Sequence, residues 1–435
     1  IASTKTEHGL APGITSQELY DSVPEAAEFC TVDTMQLLNI DSTNVQPEQW
    51  LLMAKTIEDH YNDYDGFVIT HGTDTMAYTS AALSYLIQHP NKPIVLTGAQ
   101  KPLVDPITDA KKNLLDALSF ACQQRSGGVF VVFSGRVILG TRAKKLKTKS
   151  YAAFSSINYP EVALVDQRRI VQYVTFQHDE PVTFYHKMLP QVFLLKLIPG
   201  MDPGILDYIG EHYRAVVIES YGSGGLPFAD QRNFLEKLES LKARGCHVVV
   251  ATQAMLEGSD LGVYEVGRKA MAAYDVMQAW DMTIEAVVTK LMWLLGQDLS
   301  YEDFRQAFYT PVAQDMLFIV VAEALYTVEH QSRRVAADGA VGAVDDHMRQ
   351  TLDDRNGLHR RLALKHQFHQ LRELAETDAA GNALAAGLRM AKIQKALGKI
   401  HRTKTRRACG NTPLHVAVQP VNNGLRVGGR HNIES

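Results

Sequence analysis

The sequence predicts an α/β protein with a larger, mainly parallel N-terminal sheet domain, a smaller α/β domain and a mainly helical or disordered tail. Three observations carry this. Between residues 66 and 133, short apolar runs alternate with amphipathic helical patterns, the signature of βαβ units and a parallel sheet. From 192 to 308 a second block repeats the alternation on a smaller scale. Near residue 316 the composition changes: residues 1–316 hold 26 Lys and Arg against 37 Asp and Glu, and residues 317–435 hold 18 against 11. The net charge of −4 therefore conceals −11 followed by +7, and such a shift marks a compositional boundary.

The elements follow in order. An apolar run at 66–69 reads as a strand and 76–88 as a helix; strand 93–97, helix 108–122 and strand 128–133 continue the pattern. Such crossovers are right-handed. Residues 176–190 lose periodicity and gather His, Pro and charge. The second block reads as strand 192–198, a Pro199-Gly200 break, a helix from Asp202, strand 215–219, helix 230–243, strand 247–252, helix 284–295 and an acid-capped segment at 300–308. Tyr221-Gly222-Ser223-Gly224-Gly225 lacks the G-x-G-x-x-G spacing, so it implies no nucleotide site. The expected division is 1–180, a linker at 181–191, 192–316, and an extension at 317–435.

The length of 435 residues suits two or three domains. No apolar run reaches membrane-span length and no signal peptide opens the chain, which begins at Ile1 rather than Met. Cys30, Cys122, Cys246 and Cys409 are scattered without metal or redox spacing, so inert thiols in a reducing cytoplasm are expected. Helical periodicity returns at 347–376 and 383–400, and the basic run at 402–407 reads as a solvated tail rather than a nucleic-acid or membrane contact. Residues 410–417 resemble the start of an ankyrin repeat, although a lone repeat cannot bury its own face.

The most chemical stretch is Gly66-Phe67-Val68-Ile69-Thr70-His71-Gly72-Thr73-Asp74-Thr75-Met76-Ala77-Tyr78. It reads as strand, tight loop, helix. In an open parallel sheet such a loop lies at the carboxyl ends of the strands, where ligands bind. Thr73 sets a hydroxyl beside the Asp74 carboxylate at a helix N-terminus. On spacing alone capping is the better reading of both, and Asp41-Ser42-Thr43-Asn44 is ordinary turn chemistry.

The whole string resembles the second signature of the L-asparaginase family, cytoplasmic type I branch. Asp41-Ser42-Thr43, Thr97-Gly98-Ala99-Gln100 and Asp281-Met282-Thr283 with Glu285-Ala286 and Thr289-Lys290-Leu291 resemble further blocks of that family, in family order, over residues 1 to about 316. The resemblance implies a two-domain asparaginase-like fold and hydrolysis of L-asparagine through a threonine-linked acyl-enzyme, without metal or cofactor. It implies a cytoplasmic homodimer or homotetramer with no nucleic-acid or membrane partner. It implies a triad of Thr73, Asp74 and Lys145, with Lys144 and Lys147 as competing lysines. Tyr264 is the candidate supporting tyrosine, and a packed aromatic is an equal reading of it. Asp41, Ser42, Thr43, Thr73 and Asp74 would hold the substrate, Asp41 and Asp74 at its ammonium and Ser42 and Thr43 at its carboxylate.

Two departures matter. Ile1-Ala2-Ser3 matches the residues just after the family's first threonine, in Gly-Gly-Thr-Ile, which is usually assigned as the nucleophile. That threonine would therefore stand one residue before Ile1. At the positions of an allosteric asparagine site, Glu219-Ser220-Tyr221 and Thr252-Gln253-Ala254, Glu219 stands where some regulated members carry Arg. A carboxylate there repels the effector's carboxylate, so unregulated kinetics are expected. The alternative readings are a catalytically inactive asparaginase-like interaction protein, a lysophospholipase, and an amidotransferase subunit acting on glutamyl-tRNA.

Overall fold

A computed structural model describes residues 3–6, 9–123 and 126–317, all within the unit Ile1–Ala322. The expected tail helices, basic run and ankyrin-like fragment lie outside the described residues.

The chain opens with an antiparallel hairpin, β1 (Ser3–Thr6) and β2 (Gly9–Pro12). Helix α1 (Ser16–Asp21) starts at a Thr15/Glu18 capping box, and a 3₁₀ turn follows at Pro24–Glu28. Helix α2 (Pro47–Asp59) has Pro at its first position, where no N–H is needed, and buries Trp50, Met53, Ala54 and Ile57 along one stripe. Then come β3 (Phe67–Thr70), α3 (Met76–Leu86), β4 (Ile87–Gln88), β5 (Pro93–Thr97), α4 (Ala110–Cys122) and β6 (Gly128–Phe133). Strands β3, β5 and β6 are parallel, as the alternation predicts.

The sheet then departs from the mainly parallel expectation. After β7 (Arg136–Leu139), β8 (Ala143–Lys145) and β9 (Phe154–Ser156) come β10 (Ala163–Asp166), β11 (Arg169–Gln172) and β12 (Thr183–Phe184). The large sheet has the order β11-β10-β7-β6-β5-β3, with β7, β10 and β11 joined antiparallel. The reason is local. Only Ser134 (φ 52°) and Gly135 (φ 78°) connect β6 to β7, and only Gln167 (φ 48°) and Arg168 (φ 69°) connect β10 to β11. Two-residue loops with both residues left-handed close hairpins. β8 and β9 form a separate hairpin, and β12 pairs with β4.

The second sheet is wholly parallel: β13 (Val192–Lys196), β14 (Ala215–Ser220), β15 (His247–Thr252) and β16 (Met277–Gln278). Helices α5 (Ile205–His212), α6 (Phe234–Ala243), α7 (Glu265–Tyr274), α8 (Ile284–Leu295) and α9 (Tyr301–Tyr309) accompany it. The two-domain α/β architecture is therefore as the sequence predicts.

One apolar core joins both sheets. It contains Leu96 and Val131 from the first, Val217 and Val249 from the second, and Ala81, Leu86, Val287 and Leu291 from α3 and α8. A helix buried on every side must be apolar on every side, which accounts for the small-residue composition of α3. Its end is fastened by Tyr85, which stacks on Trp293 and donates to Asp315 at 2.9 Å, while Lys290 pairs with the same carboxylate at 2.7 Å, fully buried.

Candidate active site

The site forms where β3 ends. The His71 N–H donates to Thr97 O at 2.8 Å, so the loop leaves the sheet still tied to β5. The His71 side chain is buried, with Nδ1 2.7 Å from Gly72 O and Nε2 3.0 Å from Thr79 Oγ1. A carbonyl only accepts, so Nδ1 carries the proton and Thr79 donates to Nε2. Thr79 in turn accepts from Trp50 Nε1 at 3.0 Å. Burial lowers the His71 pKa and keeps the ring neutral. This histidine braces the loop beneath the chemistry.

Lys145 closes the cluster. Its Nζ donates to Thr73 Oγ1 at 2.8 Å and to Asp74 Oδ1 at 2.5 Å. Lys144 turns the other way and forms a two-pronged pair with Glu285 on α8, at 2.8 and 3.0 Å. Alternate residues of a strand face opposite sides, so Lys145 and not Lys144 reaches Thr73 and Asp74. Glu285 is also one reason, after burial, that the Tyr78 pKa is raised to about 12. Arg142, just before β8, is fully buried against Asp281 at 3.1 Å and also donates to the carbonyls of Asp281 and Gln314. Two ion pairs thus hold the segment that presents Lys145.

The Asp41-Ser42-Thr43 turn docks onto this loop. Ser42 is buried, and its carbonyl accepts from Thr75 Oγ1 at 2.7 Å. Asp41 caps its own 3₁₀ turn, accepting from the Thr43 hydroxyl at 2.7 Å and the Thr43 N–H at 2.8 Å. Those bonds, the hydroxyl first, lower the Asp41 pKa and favour the charged carboxylate. A cavity of about 560 Å³ is lined by Asp41, Ser42, Thr73, Asp74 and Gln100 and runs along the whole of β3. Among the described residues β3 pairs only with β5, so its other edge faces this cavity.

Tyr264 stands apart. It caps the start of α7 in the second domain, is 58% exposed, and forms no hydrogen bond with Thr73, Asp74 or Lys145. Gln100 and Asp109 are the supporting residues that sequence reasoning missed. Gln100 Nε2 donates to the carbonyls of Lys147 and Ser150, which leaves Oε1 3.4 Å from Thr73 Oγ1. Buried Asp109 accepts the Gln100 and Lys101 N–H groups. The Thr97-Gly98-Ala99-Gln100 block was the available signal for the first; nothing local marks the second. Among the described residues no three His, Cys, Asp or Glu side chains gather as a metal would require.

The positions compared with a regulatory site are filled by internal bonds. Gln253 Nε2 donates to Leu197 O at 2.7 Å and Glu219 O at 2.9 Å, and Thr252 Oγ1 donates to Gly222 O.

The family model "Asparaginase, N-terminal" matches residues 1–177, and "Glutaminase/Asparaginase C-terminal domain" matches 191–308. An L-asparaginase of Thermococcus kodakarensis is 40% identical over 321 residues, covering 73% of this chain and 96% of that protein. L-asparaginase 1 of Escherichia coli K12 is 36% identical over 288 residues, covering 65% and 83%. The solved structure of the thermostable T. kodakarensis L-asparaginase superposes with a TM-score of 0.66 at 38% identity, over 73% of this chain and 96% of that one. With two thirds of the chain matched by these two family models and a 40% identical relative covered almost end to end, the chain belongs to the asparaginase family.

Proposed function

We propose that this protein hydrolyses L-asparagine to L-aspartate and ammonia. The observation that carries the reading is Lys145 Nζ bridging Thr73 Oγ1 and Asp74 Oδ1, two residues that line a cavity together with Asp41 and Ser42. Identity to relatives named L-asparaginase supports the same reaction.

The chemistry needs a proton relay. A threonine hydroxyl adds to the side-chain amide carbon, and its proton passes through Thr73 into the Lys145–Asp74 pair. The tetrahedral intermediate collapses, the C–N bond breaks, and the proton returns to the departing nitrogen as ammonia leaves. Water then attacks the ester, releasing aspartate and restoring the hydroxyl. Asp74 holds the lysine in place and, with Asp41, offers negative charge to the substrate ammonium; Ser42 offers its hydroxyl to the carboxylate, while the Thr43 hydroxyl, already donated to Asp41, orients that aspartate. Lysine serves here because it can release and regain a proton. The enzyme is further proposed to act in the cytoplasm as a homodimer or homotetramer; no helix among the described residues is long and apolar enough to cross a membrane.

Ammonia release from asparagine and glutamine, measured on the full chain and on Thr73→Ala, tests the reading. Asparagine-dependent release that the variant loses supports it, and equal release from both proteins overturns it. A chain that binds aspartate in an Asp74-dependent way but releases no ammonia would favour the interaction-protein reading. Hydrolysis of lysophospholipid or of glutamine presented with glutamyl-tRNA, without free asparaginase activity, would favour the other two.

A further inference from the structure

Two cysteines that are 92 positions apart in sequence meet in the fold. Cys30 follows the 3₁₀ turn Pro24–Glu28, and Cys122 is the last residue of α4. The turn packs on that helix: Val23 and Ala26 share a small core with Leu114 and Leu118, and Cys30 lies against it. Cys30 Sγ sits 3.4 Å from Ala26 O. Cys122 comes one helical turn after Leu118, on the same face, and Cys30 is among the neighbours that raise its thiol pKa. Cys30 is half-buried and Cys122 exposed, so a small reagent can reach the pair from solvent. Cys246, by contrast, is buried within the second domain.

We propose that Cys30 and Cys122 form a dithiol that closes to a disulfide by exchange with a small-molecule disulfide, stapling the segment that carries Asp41 and Ser42 to helix α4. The exchange balances. One thiolate attacks the reagent, giving a mixed disulfide and one free small thiol. The second protein thiolate then displaces the other half, forming the protein S–S bond and a second small thiol. Both protein thiols are oxidised and the reagent is reduced by the same two electrons.

The staple would act on a stretch that needs one. Residues 30–41 contain no helix or strand. Between Cys30 and the Asp41 cap, the segment is tied to α1 by side-chain bonds at the surface, Ser16 N–H to Gln36 Oε1 at 2.8 Å and Thr34 Oγ1 to Gln17 Oε1 at 3.1 Å. A covalent link at its start restricts the unfolded chain and adds stability. Partial burial raises both thiol pKa values, and for Cys122 the neighbouring Cys30 adds to the rise, so the exchange is slow. The sequence spacing offers no hint of this pairing, because it depends on the 3₁₀ turn docking on α4.

Incubating the full chain with oxidised glutathione and mapping non-reduced peptides by mass spectrometry tests the proposal. The expected product joins the Cys30 and Cys122 peptides, two hydrogens lighter than the reduced pair, and melts higher than the reduced protein until dithiothreitol is added. Cys30→Ser and Cys122→Ser should each instead hold one glutathione on the remaining cysteine, with no rise in melting temperature. Stable glutathione adducts on both cysteines of the unaltered chain, failure of either to react, links to other cysteines, or an unchanged melting temperature would each overturn it. Because the readout is mass and melting, it stands apart from any assay of the amide hydrolysis.

Discussion

Gly72 and Ser42 touch so closely that a Cβ on residue 72 would lie 2.5 Å from Ser42 Oγ and 2.7 Å from Ser42 Cβ. The Asp41-Ser42-Thr43 turn can approach the Thr73 loop only because residue 72 has no side chain. Gly72→Ala should push the turn away and weaken aspartate binding by about tenfold or more, a loss of about 1.4 kcal/mol. The effect should fall more on KM than on kcat. Titration calorimetry with L-aspartate measures it directly, and unchanged affinity would show that the turn has room to move.

Lys145→Met should lower kcat by about a thousandfold, the size of effect usual for a lost general base. Lys145→Arg is the sharper test. It keeps the positive charge for Thr73 and Asp74 but cannot give up its proton at neutral pH. If arginine restores turnover, the lysine is only electrostatic and the relay is wrong.

Arg142→Met should unfold the protein at lower temperature, since it removes the cation paired with the buried Asp281 carboxylate; breaking a buried pair costs about 3–5 kcal/mol. Lys144→Met removes a pair that is only partly buried, at 23% and 11% side-chain exposure, and should cost far less stability. Differential scanning calorimetry of the two variants ranks them. The reverse order would mean that the Lys144–Glu285 contact, not Arg142, anchors β8.

Acid should destabilise the protein in part through His247. Its ring stacks on Phe304, with centroids 3.7 Å apart, and burial, helped by Arg214, lowers its pKa from 6.5 to about 4. The unfolded chain takes up this proton near pH 6.5 while the folded chain does not. The stabilisation is therefore complete above pH 6.5 and is lost as the pH falls toward 4, at up to about 1.4 kcal/mol per pH unit and at most about 3 kcal/mol in all. His247→Phe keeps the stack and should flatten this limb in melting curves between pH 7 and pH 4.5. An unaltered slope would place the proton uptake elsewhere.

Asparagine dependence should be hyperbolic. The Gln253 side-chain amide is already engaged by two carbonyls, and Glu219 adds negative charge where an asparagine effector brings a carboxylate. Initial-rate curves of ammonia release decide this, and a sigmoidal curve would require the Gln253 contacts to open.

The legible parts of the fold are those where local pattern and burial agree. Strands β5, β6 and β15 and helix α8 begin and end where the apolar runs do, because all are buried and therefore continuous in hydrophobicity. The hairpins escaped because Ser134-Gly135 is a weak turn signal and Gln167-Arg168 is none at all. Helix α7 escaped as well, because it buries only Gly267 and Ala270, two small residues that leave no apolar stripe to read. At the site, the strand-end loop and its acidic and hydroxyl residues could be read from one stretch. The choice of Lys145 among three lysines needed the family register, and only strand geometry explains it. The bracing by His71, Thr79 and Trp50 joins residues from three separate elements, so no local pattern could announce it.

The opposed directions of Lys144 and Lys145 carry a consequence for how this gene can change. Residues 146–153 form a largely exposed connection between β8 and β9, the kind of place where insertions and deletions are ordinarily tolerated. Here a length change of one residue that was absorbed by sliding β8 would exchange the two lysines, sending Lys145 toward Glu285 and Lys144 toward Thr73. The folded shape would survive while the neighbours of each ammonium were traded. Viable length variants of this loop should therefore be those that leave the Lys145–Phe154 pairing in step.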